Sequence, residues 1–186
     1  MSLHEVGLGA ERQVLLAQLD QLRGVVLTKV AGLDDDQLKL CWAPSTMSLG
    51  GLLSHLANVE DWWMNQVIAQ ERPRQPWRDA PWHEDRDWDW HRAHGLTAEQ
   101  LIAEFEDAVA MSRQILGNEP SLDTTVALRH GGQSEMVSVR WVVVHLLAEY
   151  ARHCGHADLM REAIDGATGR AVASIRNFMV EHAFLE

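Results

Sequence analysis

The sequence predicts an all-α fold, a four-helix bundle. Four segments of about 20 residues repeat apolar side chains every three or four positions, the spacing of one face of an amphipathic helix. Capping residues, glycines or prolines separate these segments, and few stretches alternate apolar and polar residues as strands do. Long helices of this kind, each with one apolar face, are typical of a helical bundle.

The first helix is predicted over 10–31 and the second over 49–69. Gly32 and the acidic run 34–36 are interpreted as the end of the first helix, and Ser48 as the N-cap of the second. The apolar face of the first helix consists of Leu15, Leu19, Leu22, Val26 and Val30. The apolar face of the second consists of Leu49, Leu52, Leu56, Val59, Trp63 and Val67.

Residues 70–96 are predicted to form a long surface loop, because three prolines exclude a regular helix there. A loop of this length is uncommon and tends to be functional. The acidic residues of the loop are interpreted as a solvated face. The loop also carries Trp77, Trp82, Trp88 and Trp90, half of the 8 tryptophans. These rings either wall a pocket or pin the loop to the bundle.

The third helix is predicted over 98–116, where Thr97 and Gln100 form a capping box. Residues 121–137, which include a Gly-Gly pair, fit a small hairpin or a plain loop equally well.

The fourth helix is predicted over 139–165, with Ser138 as its N-cap and Gly166 just beyond its end. A short last helix is predicted over 171–182.

Composition excludes several classes of protein. A length of 186 residues predicts a single domain, 1–186, and a net charge of −11 disfavours nucleic acid and anionic membranes as partners. No apolar run approaches the ~20 residues of a membrane span. Two cysteines without a CxxC motif fit a reducing, cytoplasmic location. The excess of 10 His and 8 Trp over 1 Tyr and 3 Phe is the first indication of a metal site.

Four titratable residues of the fourth helix share one stripe. At about 100° per residue, His145, Glu149, His153 and His156 lie within about 80° of one another. The stripe also carries Val142, so these side chains are predicted to point inward. Glu149 and His153, four residues apart, suit two ligands of one metal ion.

A third ligand has to come from another helix, and His55 lies on the buried side of the second. Three ligands of His and Glu type with one open position are typical of a catalytic zinc site. The residues also allow a different interpretation, in which the histidines are hydrogen-bonded core residues and Arg152 pairs with Glu149.

Two segments resemble the DinB superfamily, in particular its uncharacterised actinobacterial branch. They are LGGLLSHLANVEDWW (49–63) and RWVVVHLLAEYARHCGHADLMREAIDG (140–166). The resemblance implies an up-and-down four-helix bundle with a divalent metal, zinc or nickel, near one end. It places the metal on His55, Glu149 and His153. Glu149 replaces the more usual His, as in relatives similar to mycothiol-dependent maleylpyruvate isomerase.

The resemblance also implies a chemistry. Characterised relatives are transferases or isomerases that use mycothiol, bacillithiol or glutathione, so a small thiol and an electrophile are the expected partners. His156 or His145 is then the candidate proton acceptor, and Arg140 or Arg152 the candidate contact for the cofactor. The alternative is a non-catalytic metal-binding stress protein, and a homodimer is expected in either case.

Overall fold

The structure, a computed structural model, describes residues 7–119 and 121–169 and is mostly helical. Its helices are α1 (Glu11–Val30), α2 (Asp35–Lys39), α3 (Leu49–Glu60), α4 (Trp88–His91), α5 (Ala98–Asn118) and α6 (Val139–Asp165). Its strands are β1 (Thr125–His130) and β2 (Gln133–Ser138). A π-helical segment, Asp61–Ile68, continues α3, and 3₁₀ turns occupy Trp77–Asp79 and Arg92–Gly95.

The four long helices enclose one core. Helix α1 packs against α6 and α3 packs against α5, while α3 also contacts α1 and α6. Each helix contributes fully buried apolar side chains, among them Leu19, Leu52, Phe105 and Leu146. The predicted helical class is confirmed, the second predicted helix consists of α3 and its π-helical continuation, and α3 lies where it can present side chains to α6.

Predicted capping residues define the ends of these helices. Ser48 accepts a hydrogen bond from the backbone N–H of Gly51, and Ser138 accepts one from Trp141. Thr97 and Gln100 form the predicted capping box at the start of α5. Gly166 ends α6 in the left-handed conformation, with φ of 75°. Local capping therefore fixes where three of the long helices begin and where α6 ends.

The acidic run 34–36 does more than end the first helix. Asp34 caps a further short helix, α2, by accepting a hydrogen bond of 2.8 Å from the backbone N–H of Gln37. Leu38 of this helix is fully buried. The interpretation of the run as a stop signal was incomplete, because the same residue type that ends one helix can cap the next.

Residues 121–137 contain a hairpin, which decides between the two alternatives. Strands β1 and β2 are antiparallel, with Val126 opposite Val137. Gly131 and Gly132 form the two-residue turn with φ of 58° and 78°, a conformation that favours glycine at both positions. Strand β1 packs against the π-helical segment, so the hairpin covers that end of the second long helix.

The segment 70–96 contains no long helix, as predicted, but it folds into short helical turns against the bundle. The short helix predicted over 171–182 lies outside the described residues. Within residues 7–119 and 121–169, no helix combines the length and the apolarity needed to cross a bilayer.

Candidate metal centre

Three predicted ligands meet between α3 and α6. Oε1 of Glu149 lies 3.1 Å from Nε2 of His153 and 3.6 Å from Nε2 of His55. One ligand atom from each residue lies within 4.8 Å of the other two. Two ligands of a tetrahedral zinc ion with bonds of about 2.0–2.1 Å are about 3.3 Å apart. The spacing of this triad therefore suits a single divalent ion.

Helix geometry produces the triad. Glu149 and His153 are one turn apart on α6 and so lie one above the other on the same face. His55 projects from the face of α3 that carries the buried Leu52 and Leu56, and α3 contacts α6. The donors of two helices therefore meet at one point.

Each of the two imidazole rings has a side-chain partner at Nδ1, on the opposite side of the ring from Nε2. Nδ1 of His55 lies 2.8 Å from Oδ2 of Asp89, and Nδ1 of His153 lies 3.4 Å from Nδ1 of His156. Each ring thereby directs its Nε2 towards Glu149. Outer partners of this kind fix the tautomer and the orientation of ligating histidines.

Asp89 and Trp90 both contact His55; sequence reasoning missed Asp89, whereas it left Trp90 either as the wall of a pocket or as an anchor of the loop. Asp89 is only 5 % exposed, so the interpretation of the loop's acidic residues as a solvated face is wrong for this one. Asn58 donates a second hydrogen bond to Oδ2 of Asp89, at 3.1 Å. The indole of Trp90 stacks on the ring of His55, with centroids 4.6 Å apart. No spacing signal links residues so far apart, because the loop brings them to α3 only in the folded chain.

The electrostatics of the triad favour a bound cation. The hydrogen bond with His55 lowers the pKa of Glu149 to about 2, against the opposing effect of burial. Burial, and then the charge of His55, lower the pKa of His153 to about 4. Burial lowers the pKa of His55, but its hydrogen bonds to Asp89 and Glu149 outweigh burial and raise it overall. An ionised carboxylate and a neutral imidazole are the forms that bind metal, so the shifts of Glu149 and His153 favour a divalent ion, whereas the raised pKa of His55 means that an ion has to displace its proton.

Of the four residues predicted to surround the metal, two adjoin the triad. His156 contacts His153, and the exposed Arg152 places Nη1 3.9 Å from Oε2 of Glu149. The histidines lie closer to Glu149 than Arg152 does, so the alternative pairing of Glu149 with Arg152 is at most secondary.

The other two predicted residues have different neighbours. The ring of His145 stacks on Trp141 and also contacts Trp63. Arg140 pairs with Glu11 and Asp123 at the start of α6, whereas Glu149 and His153 lie in the middle of this helix.

A cavity of about 740 Å³, which we call the tryptophan cavity, lies beside the second long helix, and none of the three triad residues lines it. Its walls include Trp62 and Trp63 from the π-helical segment and Trp77 and Trp82 from the loop. Asn58, which bonds to Asp89, also lines it. The loop tryptophans therefore combine the two predicted roles. Trp77 and Trp82 line a cavity, whereas Trp88 and Trp90 pack against buried residues and anchor the loop.

Comparison with known proteins identifies the family. The model of a family described as Mycothiol-S-transferase matches residues 14–166, most of the chain. The chain belongs to this family. Mycothiol S-transferases are DinB-like, so the resemblance to the DinB superfamily is confirmed.

A solved structure shows the same fold as this mycothiol S-transferase family member. A conserved protein from Enterococcus faecalis superposes with a TM-score of 0.66 at 15% identity, covering 86% of this chain and 99% of that chain. At this identity the likeness concerns the fold alone. Among curated proteins, no match was found.

Proposed function

We propose that this member of the mycothiol S-transferase family is a divalent-metal-dependent enzyme that joins a low-molecular-weight thiol to an electrophile. The thiol is mycothiol or, alternatively, bacillithiol. The observation that carries the proposal is the triad of His55, Glu149 and His153, whose three ligand atoms converge while each of the two imidazoles has a side-chain partner at Nδ1. Three protein ligands leave one position for a thiol, as in catalytic rather than structural zinc sites.

His55, Glu149 and His153 would hold the ion, which we propose is zinc, with nickel as the alternative. Two imidazoles and one carboxylate form a ligand set known from catalytic zinc. A divalent ion at this position supplies the positive charge that lowers the pKa of a thiol, so that thiolate is present at neutral pH.

The chain's own residues then have separate tasks. The thiol loses its proton to a base, for which His156 beside His153 is our first candidate and His145 the second. The sulfur electron pair forms a bond to carbon of the electrophile, and the leaving group departs with the pair of the bond that breaks. Arg152 is the better placed of the two arginines to contact the cofactor, because Arg140 already pairs with Glu11 and Asp123.

The resemblance extends to architecture and assembly. We propose that the four long helices form an up-and-down bundle of DinB type, that residues 1–186 are one domain, and that the protein is a cytoplasmic homodimer. Exposed apolar side chains on α6, including Trp141 at 46% exposure, support an interface between copies. Light scattering during gel filtration tests the dimer, and a monomeric mass at micromolar concentration would contradict it.

Metal analysis and turnover together test the proposed function. Untagged protein should contain about one equivalent of divalent metal per chain. The variant His153→Ala should lose the metal, whereas His91→Ala should keep it, because His91 pairs with Asp85 at the surface. At full metal loading, the wild type should conjugate monochlorobimane with mycothiol or bacillithiol, and His153→Ala should not.

Two results would overturn the proposal in different ways. Full metal loading without conjugation by any thiol, glutathione included, would favour the non-catalytic metal-binding protein. The metal site itself would be excluded if the wild-type protein contained no metal and His153→Ala changed neither its metal content nor its stability.

A further inference from the structure

We propose that the tryptophan cavity binds the electrophilic acceptor, and that this acceptor is a planar aromatic molecule with an acidic group. Calling this molecule an acceptor rests on the proposed function. The prediction that the cavity binds such a molecule does not depend on that function. Binding itself makes and breaks no covalent bond, so it can be measured without thiol and without turnover.

The walls of the cavity suit a flat apolar ring. Four indoles, those of Trp62, Trp63, Trp77 and Trp82, face a volume of about 740 Å³, which is the size of a small-molecule site. The side chain of Trp82 donates its Nε1–H to the backbone carbonyl of Trp77, at 3.2 Å. That polar atom is therefore already satisfied, and the ring can offer its apolar face to a ligand.

The loop tryptophans of the cavity wall are held in place by contacts within the protein, without a ligand. Trp88 contacts both Trp77 and Trp82 edge-to-face, with centroid distances of 6.1 and 5.9 Å. The guanidinium of Arg92 lies 5.2 Å from the ring centre of Trp77 and 5.3 Å from that of Trp88. Glu104 in turn holds Arg92 through two hydrogen bonds. A wall fixed in this way loses little side-chain entropy when it binds an aromatic ring.

One cation at the cavity points to an acidic group on the ligand. Arg78 lines the cavity and is exposed, and its Nε donates to the backbone carbonyl of Pro73. In the described part of the chain, no carboxylate lies within ion-pair distance of Arg78, in contrast to Arg74 and Arg92. Its remaining guanidinium N–H groups are therefore available for a carboxylate or sulfonate.

The remaining polar groups argue against the sugar portion of a thiol as the occupant. Asn58 and Gln66 line the cavity, and each donates an amide N–H to a carboxylate, of Asp89 and of Asp61 respectively. Apart from these two amides, Arg78 is the only polar non-aromatic side chain among the nine lining residues, too few groups for the many hydroxyls of a sugar. A flat ring with a single acidic group avoids that cost.

The cavity also lies where an acceptor could be used. Asn58 follows His55 by three residues on α3, a rise of about 4.5 Å along the helix. Both side chains bond to the same oxygen, Oδ2 of Asp89. A ring in the cavity would therefore lie close to a thiol held at the triad.

The probe for this proposal is 2,4-dinitrobenzoate, a flat aromatic acid that quenches tryptophan fluorescence. We expect it to quench the as-purified full-length protein saturably in the absence of thiol. The variant Trp82→Ala should weaken binding at least about tenfold, in line with the loss of an aromatic contact and its packing. The variant Arg78→Gln should weaken binding several-fold while leaving the uncharged 1,3-dinitrobenzene unaffected.

Matched variants exclude indirect effects. Arg86→Gln removes another exposed arginine of the same loop, and Trp42→Ala removes a tryptophan outside the cavity, so both should bind as the wild type does. Arg78 is on the surface, so Arg78→Gln keeps the proposal testable even if Trp82→Ala unfolds the loop.

Three outcomes would overturn the inference. They are unsaturable quenching, equal loss of binding in Arg78→Gln and Arg86→Gln, and displacement of the probe by mycothiol or by inositol alone. Absence of conjugation at full metal loading would overturn the proposed enzyme without changing any of these binding results.

Discussion

Oδ2 of Asp89 lies 2.8 Å from Nδ1 of His55, although 34 positions separate the two residues in the chain. An ionised carboxylate can only accept, so Nδ1 carries a proton, and Nε2 on the other side of the ring faces Glu149. The long loop therefore takes part in the candidate site, because it supplies the group that orients the imidazole of His55. Asn58 holds the same carboxylate and also lines the tryptophan cavity.

The first prediction concerns this contact. Replacing Asp89 by asparagine, Asp89→Asn, removes the charge that orients His55, so we expect metal affinity to fall by about 10–100-fold. Competition for zinc with a chromophoric chelator measures the change.

The chain offers a close control for this prediction. Asp85 lies 2.8 Å from Nδ1 of His91 on the surface, which is the same contact without a neighbouring triad. Asp85→Asn should leave metal affinity unchanged. Equal affinities for wild type and Asp89→Asn would show that Asp89 does not orient the ligand.

The second prediction concerns the close approach of Trp90 to α3. A Cβ at Gly51 would lie 3.0 Å from Cε3 of Trp90 and 3.3 Å from its backbone carbonyl oxygen. Because part of this contact is backbone, Gly51→Ala should displace Trp90 from the ring of His55. We expect weaker metal binding and a loss of about 1–3 kcal/mol in the free energy of unfolding.

The substitution Gly24→Ala is the control for Gly51→Ala. It lies within α1, is exposed, and has open space where its Cβ would be. Gly24→Ala should therefore stabilise the protein by about 0.5–1 kcal/mol without affecting metal binding. Denaturant unfolding of both variants compares them, and a stabilising Gly51→Ala would show that Trp90 can move at little cost.

The third prediction concerns a buried ionic network next to the site. Glu60 is 0% exposed and accepts hydrogen bonds from Arg23 at 2.7 and 2.8 Å, Ser112 at 2.5 Å and Tyr150 at 2.6 Å. Burial lowers the pKa of Arg23, but Glu60 outweighs burial and raises it overall. Burial, and then the charge of Glu60, raise the pKa of Tyr150 well above its ordinary value, so the hydroxyl stays a donor.

Glu60→Gln removes the buried counter-ion of Arg23 and leaves only the half-exposed Asp20 as its ionic partner among the described residues. We expect the free energy of unfolding to fall by about 3–5 kcal/mol, measured by denaturant titration. Asp107→Asn breaks an exposed ion pair with Arg74, outside this network, and should cost less than about 1 kcal/mol. Similar losses in the two variants would mean that the buried network contributes no more than a surface pair.

The sequence predicted the parts of the fold that local chemistry decides. Apolar spacing located the long helices, and Ser48, Thr97 and Ser138 marked where three of them start. The three residues of the triad could be found because two of them share a helix face at a spacing of four. That spacing is a local property, and so a single sequence can show it.

The parts that the sequence did not reveal depend on contacts between distant segments. Asp89 is indistinguishable in the sequence from the acidic residues around it, and only the folded loop buries it against His55. The π-helical segment has the apolar spacing of an ordinary helix, yet it turns Trp62 and Trp63 towards the cavity. Neither feature has a local signal, since each is decided by what packs against it.

The last prediction uses the two cysteines, which differ in environment. Cys41 is exposed, whereas Cys154 is buried against α1. Burial, and then the charge of Asp158, raise the pKa of the Cys154 thiol to about 11. Thiolate is the reactive form, so a raised pKa lowers reactivity; at pH 8 only about a thousandth of Cys154 is ionised. Iodoacetamide should therefore label Cys41 first.

Labelling of Cys154 should rise about tenfold per pH unit up to about pH 11 if the fold persists. Peptide mass spectrometry follows both sites, and guanidinium should abolish the difference. Equal rates in the native protein at pH 8 would contradict the burial of Cys154 between α6 and α1.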